Sequence, residues 1–124
     1  MDQGPNSELE QLRSGYLAAL DRYDEAVSTM RRVMDEADLA TRIMREHALT
    51  SAPMADALGG LPADVIRNRL SDSTIELERS RHDAQRLLFS ILVGEGMTMT
   101  EVARNFGVSR SLVSRFVREQ TAAP

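Results

Sequence analysis

From Ser7 to Pro53 the only residue that weakens a helix is Gly15. Across this stretch apolar or small residues recur at Tyr16, Leu20, Tyr23, Val27, Met30, Met34, Ala37, Thr41, Met44 and Ala48, in alternating steps of four and three. That spacing is the heptad seam of a coiled coil. Charges fall off the seam, and Asp38, Arg42 and Glu46 form a ladder of alternating sign at four-residue steps. A helix over residues 7–49 is about 65 Å long at its usual rise per residue. Alone it cannot bury its stripe, so it requires a partner helix. Leu20, Tyr23, Val27, Met30, Met34 and Met44 are the candidate oligomerisation residues.

The ends of this helix are also marked. Residues 1–6, with Gly4, Pro5 and Asn6, read as a frayed start, and Ser7 with Glu10 has the spacing of a capping box. "TSAPMADALGGLPAD", residues 50–64, is a connector with room for a helical turn, and Gly59-Gly60 suits a helix stop. Helical periodicity resumes at Ile66, Leu70, Ser73, Leu77, Ser80, Ala84, Leu87 and Ile91, and this helix should end before Gly94-Glu95-Gly96. The two stripes can pair as an antiparallel hairpin, as a seam between chains, or as both in a four-helix bundle. Ser73 and Ser80 are weak seam positions and argue that one hairpin is not the whole assembly.

Composition agrees with helix-on-helix packing. Aromatics are 4% of the chain and Trp is absent, while Leu, Ile, Val, Ala and seven Met supply the apolar volume. Without cysteine there are no disulfides or thiolate metal sites. The longest apolar run, Leu87–Val93 with Ser90 inside it, is too short to span a bilayer, and residues 1–7 lack the order of a secretory signal. The expectation is a cytoplasmic protein with no membrane partner. All fifteen basic residues are Arg, which GC-rich codons explain, but every cation then carries the planar fork that matches phosphate or guanine.

Charge is distributed unevenly. Residues 1–62 hold 11 acids and 6 Arg, a net of −5, whereas residues 63–124 hold 8 acids and 9 Arg, a net of +1. From Val102 to Arg118 there are four arginines and no acid. Thr98 and Glu101 form a capping box, with Met97 and Val102 placed for the hydrophobic staple around it. The short helix that follows has Val102, Ala103 and Phe106 on one face and stops at Gly107, where glycine permits the left-handed backbone of a sharp turn. Ser109 then caps a last helix, Val108 staples to Val113, and Val113, Phe116 and Val117 face inward with Leu112 at the edge.

"TEVARNFGVSRSLVSRFV" resembles the helix-turn-helix of bacterial DNA-binding proteins: Ala103 where two helices cross, Gly107 four residues later, and apolar residues at Val102, Phe106, Val108, Val113 and Phe116. With "EGMTMTEVA" before it, the segment is similar to the fourth region of sigma factors and to the DNA-binding ends of resolvase-type recombinases. The resemblance covers about residues 82–118 and implies a tri-helical unit without a wing, its first helix being about His82–Val93. It further implies that the last helix enters the major groove. The candidate DNA contacts carried over by position are Arg104, Ser109, Arg110, Ser111, Ser114, Arg115 and Arg118. Arg110, with Ser111 and Ser114, is assigned to bases, Arg104 and Arg118 to phosphates, and Arg115 to either.

The resulting expectation is an all-α chain in three parts. Residues 1–62 are an oligomerisation region and linker, 63–93 a long connecting helix, and 94–124 a DNA-binding region that shares its first helix with about 82–93. Function follows as a sequence-specific, homodimeric transcriptional regulator associated with the nucleoid, whose partners are double-stranded DNA and itself. Two other readings stay open: a coiled-coil adaptor that binds another protein through its N-terminal helices, and an architectural DNA-binding protein of weak sequence preference. Nothing points to an enzyme, a cofactor or a metal. His47 and His82 are isolated, Glu78 and His82 read as a solvated pair without a third ligand, and "GEG" at 94–96 lacks the spacing of a phosphate loop.

Overall fold

The computed structural model describes residues 5–122 and is all-helical there, with no strand. Five helices follow in order: α1 Pro5–Leu49, α2 Ala55–Leu58, α3 Ala63–Gly94, α4 Met99–Phe106 and α5 Arg110–Ala122. No helix among the described residues is long and apolar enough to cross a membrane. α1 begins two residues before the expected capping box, so Ser7 lies inside the helix and does not cap it. Pro5 explains the earlier start, because its fixed φ suits a first turn in which its missing N–H is not needed. Of the expected frayed start, residues 1–4 lie outside the described residues. α5 runs to Ala122, four residues past the expected end at Arg118, since nothing in Glu119-Gln120-Thr121 breaks a helix.

The chain divides into two compact units. The first combines the start of α1, to Tyr23, with everything from Arg79 onward; the second is Asp24–Glu78.

In the first unit, α3 is covered on two faces. Ala84 and Leu87 pack against Ala19 of α1, with Leu12, Tyr16 and Leu20 around them. Phe89 lies two residues on, roughly opposite, and forms a separate core with Val102 and Ala103 of α4 and Val113 and Phe116 of α5. This explains the apolar run Leu87–Val93: a helix covered from both sides has no polar face to show there. Phe89, Val102 and Val113 are fully buried, each worth about 1.5–3 kcal/mol of transfer free energy.

Two turns close this core in the same way. At the end of α3, Met97 N–H donates to Leu92 O at 3.0 Å and Gly96 N–H to Val93 O at 3.1 Å. At the end of α4, Val108 N–H donates to Ala103 O at 3.0 Å and Gly107 N–H to Arg104 O at 3.4 Å. Both are Schellman motifs, and both put a glycine at positive φ, +113° at Gly96 and +65° at Gly107. In each, the apolar residue after the glycine, Met97 or Val108, packs on the core. Between them Thr98 Oγ1 accepts from Glu101 N–H at 3.1 Å while the Glu101 carboxylate accepts from Thr98 N–H at 3.4 Å, the capping box expected there.

In the second unit the inward residues of α1 are Ala26 and Val33, buried, with Met30, Ala37, Ala40 and Met44 half-buried. The expected seam is only partly turned inward within the chain. Its Met30, Ala37 and Met44 face inward, but Ala26, Val33 and Ala40 take the places assigned to Val27, Met34 and Thr41, one residue later. In the first unit Ala19 likewise takes the place of Leu20 as the fully buried residue. Small side chains win these positions because they let helix backbones approach closely. Ser73 and Ser80, expected to be weak positions, are buried within the chain's own fold. α2 contributes the buried Ala57, and Gly59 follows with ordinary helical φ of −64°. Arg69 pairs with both oxygens of Glu36 at 2.6 and 2.7 Å, and Arg42 with Asp38 at 2.6 Å, all partly exposed.

Candidate nucleic-acid interface

The turn at Gly107 sets where α5 begins. Ser109 Oγ accepts from Leu112 N–H at 3.1 Å and its carbonyl from Val113 N–H at 3.3 Å, so Ser109 is the N-cap. The first N–H groups of α5, on Arg110 and Ser111, then have no helical carbonyl to bond and are free for an anion. Val113 and Phe116 face the core, which turns the other side of α5 outward.

On that outward side Arg110, Ser111, Ser114 and Arg118 line one concavity of about 260 Å³. Four of the seven residues expected to contact DNA are thus brought together. Arg104, also exposed, is on α4 and outside this concavity. Among the described residues Arg104, Arg110 and Arg118 make no ion pair. Ser109 lies at the cap, with its oxygen occupied by the Leu112 amide but its hydroxyl proton still available to donate.

Arg115 stands apart from this set. Its Nε is 3.9 Å from Glu119 Oε1, and its guanidinium carbon is 5.6 Å from the centroid of the Phe116 ring. Glu119 Oε2 is in turn 2.9 Å from His82 Nε2 on α3, whose ring meets Phe116 edge-on at 4.5 Å. Next to it Arg86 Nε donates to Gln120 Oε1 at 2.9 Å. These contacts latch the end of α5 to α3. Sequence reading missed them because it ended α5 at Arg118; the one local sign was the four-residue step from Arg115 to Glu119. For His82 it considered only the helix neighbour Glu78 and not Glu119.

Phe106 differs from expectation as well. It meets Phe89 edge-on at 5.0 Å but remains 39% exposed, because it is the last residue of an eight-residue helix and sits at the rim. With Tyr16, Leu20, Tyr23 and Leu88 it lines an apolar cleft of about 260 Å³. Two of the expected oligomerisation residues, Leu20 and Tyr23, are therefore in this cleft. In the second unit Val27 and Met30 are half-buried and Met34 is exposed. Met44 lines a groove of about 330 Å³ with Ala37, Ala40, Leu58, Ile66 and Leu70. Comparison with protein families, with characterised proteins and with solved structures finds no match to this chain.

Proposed function

We propose that the end of α3, α4 and α5 act as a tri-helical helix-turn-helix that binds double-stranded DNA with α5 in the major groove. The whole chain then acts as a homodimeric transcriptional regulator of the bacterial cytoplasm, associated with the nucleoid. Arg110, Ser111 and Ser114 read base edges, and Arg104, Arg118 and Ser109 hold phosphates. The observation that carries this reading is the concavity lined by Arg110, Ser111, Ser114 and Arg118. It offers two guanidinium groups that make no ion pair among the described residues, with Arg110 beside the free amides at the start of α5, which is the chemistry a nucleic-acid backbone and a guanine edge require.

The test is binding of the full chain to duplexes selected from a random pool and to scrambled duplexes, across a salt series. Arg110→Ala should cost about 1–3 kcal/mol on the selected site and relax preference at one base pair. Arg118→Ala should weaken selected and scrambled DNA alike and make the salt slope shallower by about one. If neither substitution changes binding, α5 is not the reader. If the wild type selects no sequence but still binds, the architectural reading replaces the regulator. A protein adaptor is the second reading, favoured by the exposed apolar side chains of the second unit, and complete absence of DNA binding would bring it forward.

A further inference from the structure

The long α1 helix carries two registers of alternating three and four steps. In the second unit the inward one is Ala26, Met30, Val33 and Ala37. Beside it runs another: Asp24, Val27, Arg31 and Met34, and in sequence the same steps begin at Leu17 and Leu20. Within the second unit this register faces outward, since Asp24 and Arg31 are exposed, Val27 is half-buried and Met34 is 58% exposed.

Its charges are the informative part. Asp24 and Arg31 make no ion pair among the described residues. They are seven residues apart on one helix, about 10 Å along its axis, too far to pair with each other. The next position, Asp38, is already held by Arg42 at 2.6 Å. A second α1 laid parallel on this face sets Asp24 against Asp24 and Arg31 against Arg31. Laid antiparallel, with a two-fold axis beside Val27, it sets each Asp24 against an Arg31 of the other copy and brings the two Val27 side chains together. Only the antiparallel arrangement is self-complementary, as a two-fold interface has to be.

We propose that the Asp24–Val27–Arg31–Met34 face is the seat of a second copy of this chain, packed antiparallel through reciprocal Asp24–Arg31 pairs. This rests on the homodimer part of the reading above and not on DNA binding. It keeps Val27 and Met34 of the residues expected from sequence and leaves out Met30, which faces inward, and Met44, which lines the groove beside Leu58 and Leu70.

Sedimentation of the full chain over a range of concentrations tests it, with Asp24→Arg, Arg31→Asp and the double exchange. Each single reversal faces like charges at two symmetric places and should weaken the dimer about tenfold. The double exchange restores both pairs in the antiparallel arrangement, and its dimer should return to within a few-fold of the wild type. All the substituted side chains are exposed, so unchanged helical circular dichroism serves as the fold control. A wild-type monomer at high micromolar concentration overturns both the homodimer reading and this interface. A wild-type dimer indifferent to either single reversal overturns the interface alone. A double exchange as weak as the singles overturns the antiparallel orientation.

Discussion

The interior of the first unit includes Phe89, Val102, Val113 and Phe116 beside the smaller cluster of Ala19, Ala84 and Leu87, whereas the buried residues of the second are Ala26, Val33, Ala57 and Ser73. Both are helix packing, but the apolar volume removed from water differs greatly. Exposed apolar residues are divided the other way. Among the described residues, the large exposed ones Met34, Leu39, Leu49, Met54, Leu58, Val65 and Ile75 belong to the second unit, and Leu17 and Phe106 to the first. Under the proposed function, the contrast suits a division of tasks. A unit with its own aromatic core can hold arginines rigidly toward a charged ligand, while a unit with thin packing and uncovered apolar side chains is suited to protein contact.

The largest test of that contrast is truncation. Phe89→Ala removes the ring that joins α3 to both α4 and α5 and should cost about 3–5 kcal/mol. Val33→Ala removes two methyl groups at about 0.8 kcal/mol each, so about 1–2 kcal/mol is expected. Urea unfolding followed by circular dichroism measures both. Equal losses would mean that the two interiors matter equally and would remove the basis for dividing the tasks.

Gly107→Val should be next in size. A Cβ added there meets nothing within 4 Å, so the expected penalty comes from the backbone: a β-branched residue forced to φ +65°. About 1–3 kcal/mol of strain is expected, with loss of DNA binding as α5 loses its orientation. Gly107→Asn separates strain from side-chain bulk, because Asn tolerates the left-handed region and should retain most of the stability. If the Val variant binds DNA normally, the turn does not set the interface.

What was legible in the sequence follows the range of the interactions. Thr98 with Glu101, Gly107 with Val108, and Ser109 with Leu112 act over three to five residues, and each motif is visible in the letters. Val102, Ala103, Val113 and Phe116 were readable because short amphipathic helices leave one choice of inward face. α1 left two. Leu20 and Val27 are larger and more apolar than Ala19 and Ala26, and hydropathy favoured them although close helix approach needs the smaller side chains. The latch of His82 to Glu119 spans 37 residues and that of Arg86 to Gln120 spans 34, so no local pattern announces them.

That latch yields a smaller effect that sharpens the electrostatic side of the comparison. Glu119→Gln keeps an acceptor for His82 while removing the charge that holds Arg115. Freed, Arg115 joins Arg110 and Arg118 on the outward side of α5. Affinity for random and selected DNA should rise together, and the plot of log K against log salt should steepen by about one phosphate equivalent. An unchanged slope would show that Arg115 does not reach a phosphate even when released.

The smallest effect tests whether close helix approach, the rule of the second unit, extends into the first. Gly15 is the one glycine within the body of α1, and a Cβ there would lie 3.6 Å from Leu87 Cδ2, an ordinary contact. Ala should therefore fit without displacement and should recover the helix propensity that glycine forfeits, up to about 1 kcal/mol. Gly94 provides the contrast, since its Cβ would come within 2.9 Å of Leu9 Cδ2 and that side chain would have to move. Thermal unfolding should place Gly15→Ala a few degrees above the wild type and Gly94→Ala at or below it. If Gly15→Ala instead lowers the midpoint, α1 and α3 approach at Leu87 as closely as small residues allow. The first unit would then depend on backbone proximity as the second does, and the difference between them would lie in Phe89 and its neighbours alone.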